Sequence, residues 1–526
     1  MPRPDPQRRS ERLFLLFAAL LLVCTASGHL HSPDGEVNFR STRAVATGQG
    51  YAIEPLPGGM LTRSGEGGKE YAQYGPLAPV LAAPLYWIGS LLTPVIPPSW
   101  LSQQESRLGS TVLFYRADRA WGEDFQGIYP PEHSERTTRI AVSFFNVLVT
   151  WTTLYLVLFA SRRYFPAGPI QLLLPAVYLL ATYAWPHSRP FYTEPLALMF
   201  LLAAALVADS LGGGEGKKLW IRALGVGLLS GLSVLARLDS VVALPGIAWI
   251  ACHRLHLAFT PKSLAWKTLY ACGALVVFVL VVSLLPLQNW LRYGAAFASG
   301  YEDEPEGIAF NIPFFHSLWI YLLSAGKGIF WYSPPLIAAL LAWPAFWKRQ
   351  RPLAIGFALV VAGFVLVIGR WQNLGGWCWG PRHLFQITPF LLFPLPYLLS
   401  GEGKDDRRGV GRPILLATVA WGVIVQFLGV LVDFMWALDR HLRALDPAQH
   451  SAAMLSLPFY GPLLHLKVWR ADRDPDWFLV DLWRSGQIGA QVFAGAVWFL
   501  LLVTTLLLVQ SILRSVRTPR AVPEET

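Results

Sequence analysis

RSERLFLLFAALLLVCTASGHL, residues Arg9–Leu30, sets basic residues directly against an apolar run, and its reading decides the fold. Arg3, Arg8, Arg9 and Arg12 precede the run Leu13–Leu30. A cleaved signal peptide and a first transmembrane helix share this pattern. The run is long and many comparable runs follow it, which favours a helix that stays in the membrane with its basic flank in the cytoplasm.

Composition agrees. The chain is 54% hydrophobic and 14% charged, with a mean hydropathy of +0.41. A soluble chain carries about 25% charged residues to wet its surface. The net charge of +10 sits in clusters between apolar runs, where it retains loops on the cytoplasmic side, so nucleic acid is not an expected partner. The 4 cysteines show neither disulfide nor metal spacing.

Working outward from that first helix, the basic loops predict about a dozen spans with both ends of the chain inside. Basic clusters follow Ile140–Ala160 at Arg162 and Arg163, lie within 214–222 and 254–267, and recur at 348–351, 401–412 and 514–520. The expected outside segments are 31–139, 288–329, 370–385 and 437–487. Pro76–Ile96 is apolar enough to cross, but counting it would invert every later loop, so it is read as a re-entrant or juxtamembrane helix. No repeat of fixed period appears.

With the inside loops short and basic, chemistry is expected outside. HSPDGEVNFRSTRAVATGQGYA (His31–Ala52) puts Asp34 and Glu36 just after the first span. A desolvated carboxylate there could take a proton or hold a metal, whereas Ser-Pro-Asp-Gly is also ordinary turn and cap chemistry. RPFYTEPLAL puts Glu194 at the outer end of a span, facing a cavity or only a helix dipole. Arg237 and Asp239 interrupt a pair of short apolar runs, a costly placement. Lys327 lies between two glycines, and Arg370, Arg382 and His383 flank a Gly- and Trp-rich loop. Such cations could hold a phosphate or snorkel to headgroups. His383 is a lone candidate metal ligand, and the acidic run Tyr301–Glu304 reads as a solvated loop.

The order of these features resembles the GT-C glycosyltransferases. An acidic motif follows the first span, then comes a Pro-rich apolar segment, then Thr-Glu-Pro in the second outside loop. Within that superfamily the chain is most similar to bacterial relatives of the protein O-mannosyltransferase and aminoarabinose transferase group. LRYGAAFASGY (Leu291–Tyr301), LLSAGKGIFWYSPP (Leu322–Pro335) and GGWCWGPRHLFQITPF (Gly375–Phe390) look like segments of that group. The resemblance covers roughly Arg12 to Phe390.

It implies an all-α polytopic membrane protein of GT-C-like fold: a catalytic module over 1–400 and a C-terminal transmembrane region over 401–526. It further implies transfer of one hexosyl or pentosyl unit from a polyprenyl-phosphate-linked donor to an acceptor at the outer face of a bacterial cytoplasmic membrane. Asp34 would be the general base. The family's Asp-Glu pair is Asp-Gly-Glu here, so Glu36 could share or take that role. Glu194 and His383 would bind the acceptor or a divalent metal ion, the only cofactor the resemblance leaves room for. Arg237, Lys327 and Arg382 would hold the donor phosphate. A flippase for lipid-linked saccharides, or a non-catalytic envelope-assembly subunit, would use the same cations and aromatics without a base.

Overall fold

The computed structural model describes residues 6–56, 61–102, 132–213, 216–258, 264–300, 310–371, 378–399, 407–434, 437, 455–470 and 475–517. Tyr301–Glu304 and the stretches 438–454 and 471–474 of the 437–487 segment fall outside the described residues, as does the 400/401 boundary.

Most of the described chain forms helices, several of them despite an internal Gly or Pro, because a helix satisfies its own backbone away from water. In chain order these are α1 (Pro6–Cys24), α2 (Pro33–Ala46), α3 (Leu77–Leu92), α4 (His133–Ser143), α5 (Phe145–Tyr164), α6 (Ile170–Ala181), α7 (Glu194–Asp209), α8 (Gly216–Ala236), α9 (Leu244–Ala258) and α10 (Leu264–Val282). There follow α11 (Leu284–Tyr293), α12 (Phe314–Leu323), α13 (Ile329–Tyr332), α14 (Pro335–Arg349), α15 (Arg351–Val367), α16 (Thr388–Leu392), α17 (Arg407–Leu431), α18 (Gly461–Arg470), α19 (Phe478–Arg484) and α20 (Ile488–Arg517). A two-stranded antiparallel hairpin, β1 (Thr62–Ser64) and β2 (Glu70–Ala72), pairs Thr62 with Ala72.

Among the described residues, 8 helical stretches are long and apolar enough to cross a membrane. The other expected spans coincide with shorter or interrupted helices, for visible reasons. Helix α1 carries Arg8, Arg9, Glu11 and Arg12 within its 19 residues. Helix α6 has 12 residues and contains Pro175, and α14 has 15 and contains Pro344. Pro389, Pro394 and Pro396 break 382–398 into short 3₁₀ and α turns. Helix α3 is a 16-residue apolar helix that packs on α2 and α4 while Leu91 remains 74% exposed.

Small residues let the spans approach closely. A Cβ on Gly227 would stand 2.0 Å from the Ala274 carbonyl oxygen, so α8 and α10 touch backbone to backbone. Helices α1 and α20, from opposite ends of the chain, pack side by side, with Ser10 Oγ 2.7 Å from Ser511 Oγ.

Helix α7 orients the molecule, because its 16 residues carry a carboxylate at each end, about 22 Å apart at 1.5 Å per residue. At its C-terminal end Asp209 is paired with Arg163 (2.9 Å) and Arg254 (2.6 Å) and accepts from the Tyr164 hydroxyl. Nearby, Glu11 pairs with Arg162 at 2.6 Å. These are the arginines of the loops expected inside. At the other end of α7 stands Glu194.

Candidate active site

Glu194 opens α7, buried completely, and its Oε1 accepts from two guanidinium groups. Arg237 Nη1 reaches it at 2.9 Å, and Arg382 Nε donates to the same oxygen. Arg237 owes its position to a break between α8 and the 3₁₀ turn Leu238–Ala243, where its own backbone is extended at φ −159°. Its Nε donates to Asp239 at 2.6 Å and its Nη2 contacts His383 Nδ1 at 3.1 Å. Asp239 in turn accepts from Gln386 Nε2 at 2.9 Å. Arg382 begins the 3₁₀ turn Arg382–Ile387 and lies over the Tyr192 ring, with Cζ 4.2 Å from its centroid. The segment that presents Tyr192 is held by Asn38, which donates to the Phe191 carbonyl, and by Asn146, which donates to those of Pro190 and Tyr192.

The same Arg382 donates from Nη2 to Asp34 Oδ1 at 2.7 Å. Asp34 lies in the first turn of α2, whose N-cap Ser32 accepts from the Gly35 amide at 3.2 Å. The Tyr74 hydroxyl, just past β2, also donates to Asp34 Oδ1. Thus residues 34, 194, 237, 239 and 382, from separate parts of the chain, form one connected array of three carboxylates and two guanidinium groups.

Glu36 does not join it. Residues two apart on a helix point about 200° apart, so Glu36 faces the opposite way from Asp34. It is 1% exposed, bonded to Arg40 Nε at 2.8 Å and to Arg139 through both of its oxygens. Burial alone would raise its pKa, but Arg139 and Arg40 outweigh that and hold it at about 2. A carboxylate so committed is a clamp between α2 and α4, which corrects the expectation that it shares the proton with Asp34.

Gly35 explains the spacing between the two acids. A Cβ there would stand 2.3 Å from the Leu30 carbonyl oxygen, so only glycine lets the chain fold back so tightly ahead of α2.

Lys327 is 1% exposed, and its Nζ donates to the backbone carbonyls of Cys378 (3.2 Å) and Gly380 (3.4 Å), bracing the turn that leads into Arg382. His383 stacks on Trp371 with centroids 4.6 Å apart. Burial and the guanidinium groups of Arg237 and Arg382 push its pKa far down. The neutral ring accepts from Arg237, an electrostatic setting that disfavours a metal at His383. Arg370 is exposed at the end of its span.

Beside the array is a narrow polar recess lined by Asn38, Tyr74, Gln288 and Arg292 among others. The side-chain carbonyl of Asn38 and both polar atoms of the Gln288 amide are buried there without a hydrogen-bond partner. Neither Tyr74 nor Gln288 stands in a motif that marks it, and only the fold brings them to Asp34. The residues best suited to a metal ion are a separate group, His29, His31, Asp433 and Asp476.

No family model and no curated protein matches the chain. Among solved structures it is similar to ArnT from Cupriavidus metallidurans bound to undecaprenyl phosphate, at 11% identity and a TM-score of 0.47, over 90% of this chain and 76% of that one. It is similar to the apo state of the same protein at 12% identity and a TM-score of 0.44, over 90% and 75% of the two chains.

Proposed function

We propose that this chain is a GT-C-type glycosyltransferase that moves one sugar from a polyprenyl-phosphate-linked donor to an acceptor hydroxyl at the outer face of the cytoplasmic membrane. The observation that carries the reading is the bridge from Arg382 to both Asp34 and Glu194 at one end of the helices, opposite the Asp209 cluster. It supplies a carboxylate to receive a proton and, within bonding distance, guanidinium groups to receive a phosphate.

The acceptor hydroxyl lies against Asp34 Oδ. As its oxygen attacks the anomeric carbon, its proton passes to Asp34, and the bond from that carbon to the phosphate oxygen breaks with both electrons going to phosphate. The leaving dianion is stabilised by Arg382 and Arg237, with Lys327 bracing the turn beneath them. Such a leaving group is already good, so positioning and charge supply most of the rate. The unpartnered amide atoms of Asn38 and Gln288 in the recess beside Tyr74 could answer hydroxyls of an acceptor that enters there. Glu194 holds both arginines in register, its oxygen being shared between them.

The array as it stands has three carboxylates against two guanidinium groups. An incoming phosphate therefore has to draw Arg382 away from Asp34. Donor binding and release of the base are one event.

The test is Asp34→Asn in proteoliposomes supplied with a polyprenyl-phosphate-linked sugar and a hydroxyl acceptor. Consumption of donor should fall at least 10²-fold, as expected for loss of a general base, with the protein still folded. Transfer at the wild-type rate would overturn the assignment, as would passage of the lipid-linked sugar across the bilayer unconsumed.

A further inference from the structure

Three and five residues ahead of Asp34 the chain carries two buried histidines, His31 and His29, that the proposed reaction does not use. We infer that His29, His31, Asp433 and Asp476 form a divalent-cation site, suited to zinc, which ties the segment after α17 and the segment before α19 to the turn that launches α2.

One donor atom from each of the four side chains lies within 4.8 Å of all the others. His29 Nε2 is 2.9 Å from Asp476 Oδ1 and 3.7 Å from Asp433 Oδ2, and His31 Nδ1 is 2.7 Å from Asp433 Oδ2. In a tetrahedral zinc site with bonds of about 2.0–2.2 Å, donor atoms stand about 3.4 Å apart. Side-chain shifts of up to about 1 Å, within rotamer reach, convert one arrangement into the other. Two imidazoles and two carboxylates are a donor set that suits zinc better than magnesium or calcium, which prefer oxygen alone.

Independent features point the same way. All four residues are buried, with exposures of 2% (His29), 7% (His31), 7% (Asp433) and 5% (Asp476). Burying two carboxylates is expensive unless cations answer them, and a divalent ion does so at one point. His31 has φ +62°, a left-handed backbone that a side-chain-bearing residue adopts only at a cost. The strained turn brings its ring within 4.1 Å of the His29 ring, an approach that suits two neutral ligands and not two imidazolium cations.

An outer layer of contacts is also present. His31 Nε2 lies 2.5 Å from Ser27 Oγ, which would fix Nδ1 as the donor to a metal. Arg189 donates to Asp476 and to the carbonyls of Val430 and Val432, holding that carboxylate from behind. His29 Nδ1 is buried with no hydrogen-bond partner, so the ring is placed by what its Nε2 meets.

The inference does not rest on the transferase reading. Its role is positional: closing the site fixes the turn 29–32 and through it the N-cap of α2.

The full chain, purified in detergent on a tag that binds no metal, is dialysed with Zn²⁺, washed, and its metal content measured; a parallel sample takes Co²⁺. About one equivalent of zinc per chain and a visible cobalt spectrum of tetrahedral nitrogen–oxygen type are expected. His31→Ala and Asp476→Asn should abolish both, whereas Glu194→Gln and His383→Ala should keep both. Stripping the zinc with a chelator should lower the thermal midpoint, and re-addition should restore it. If those ligand variants do not fold, the wild-type cobalt spectrum still decides. A wild-type chain that retains no zinc, or leaves cobalt in its hydrated form, overturns the proposal and makes the group a histidine–aspartate ion-pair network.

Discussion

Arg382 and Asp34 meet at 2.7 Å although 348 positions separate them in the chain. The pairing ties the first turn of α2 to the 3₁₀ turn after α15, and the other face of the same guanidinium ties both to α7 through Glu194. A single side chain thereby holds together the presumed base and the presumed phosphate clamp. Its chemistry is hard to replace, because a planar fork can address two carboxylates at once and an ammonium cannot.

Arg382→Lys should therefore lower transfer by about 10²-fold or more while preserving charge, the order of effect seen when one preorganised donor to a developing anion is lost. Measured against donor concentration, the loss should appear in both KM for the donor and kcat. Arg237→Lys, which leaves the Asp34 contact in place, should affect the donor KM more than kcat. Equal, small effects from both would argue against a shared phosphate role.

Glu36→Gln and Asp34→Asn should separate cleanly although only Gly35 lies between them. Glu36→Gln leaves Arg139 paired only with the partly exposed Glu135, at 2.8 Å, and should destabilise the fold by up to about 3 kcal/mol. Thermal denaturation in detergent reads that loss. The fraction that stays folded should still turn over, whereas Asp34→Asn should stay folded and not turn over.

Acid should expose the same clamp. Glu36 is held at about 2, below its ordinary value of 4.5, so its carboxylate form is favoured by folding. Its contribution is complete above pH 4.5 and disappears as the pH falls from 4.5 towards 2. The thermal midpoint of the wild-type chain should fall across that window more steeply than that of Glu36→Gln, which has no such group to protonate. Parallel curves for the two would remove Glu36 from the account.

Gly35→Ala is the subtlest change. The added methyl would meet the Leu30 carbonyl oxygen at 2.3 Å, so the start of α2 must shift, and Asp34 with it. A displacement of about 1 Å at a reacting group can cost on the order of 10²-fold in rate. Transfer should fall much further than the thermal midpoint does.

Much of this arrangement is legible before any coordinates. Apolar runs bounded by arginines announce the helices, and the arginines assign each polar segment to an end, which is why Asp34, Glu194, Arg237 and Arg382 stand out as a group. The number of full spans is less legible, because Pro175, Pro344 and the prolines at 389, 394 and 396 shorten helices without changing hydropathy. The separation of Asp34 from Glu36 is also legible: once 33–46 is read as a helix, residues two apart point to opposite sides of it. His29 and His31 carried no metal spacing of their own, since their partners Asp433 and Asp476 lie more than 400 positions away, in a stretch without motifs. Tyr74 and Gln288 become meaningful only when a hairpin and a distant helix bring them beside Asp34.

The side-by-side packing of α1 and α20 has a consequence for biosynthesis. Helix α1 finds this neighbour only after the 501 positions that separate Ser10 from Ser511 have been translated. Until then α1 faces lipid, or an insertion factor, along that flank. Shortening the gene from its 3′ end would leave a chain with every residue of the Asp34–Arg382 array present and the first helix unmoored. Insertion of α1 and its final packing are thus separated by 501 residues of synthesis.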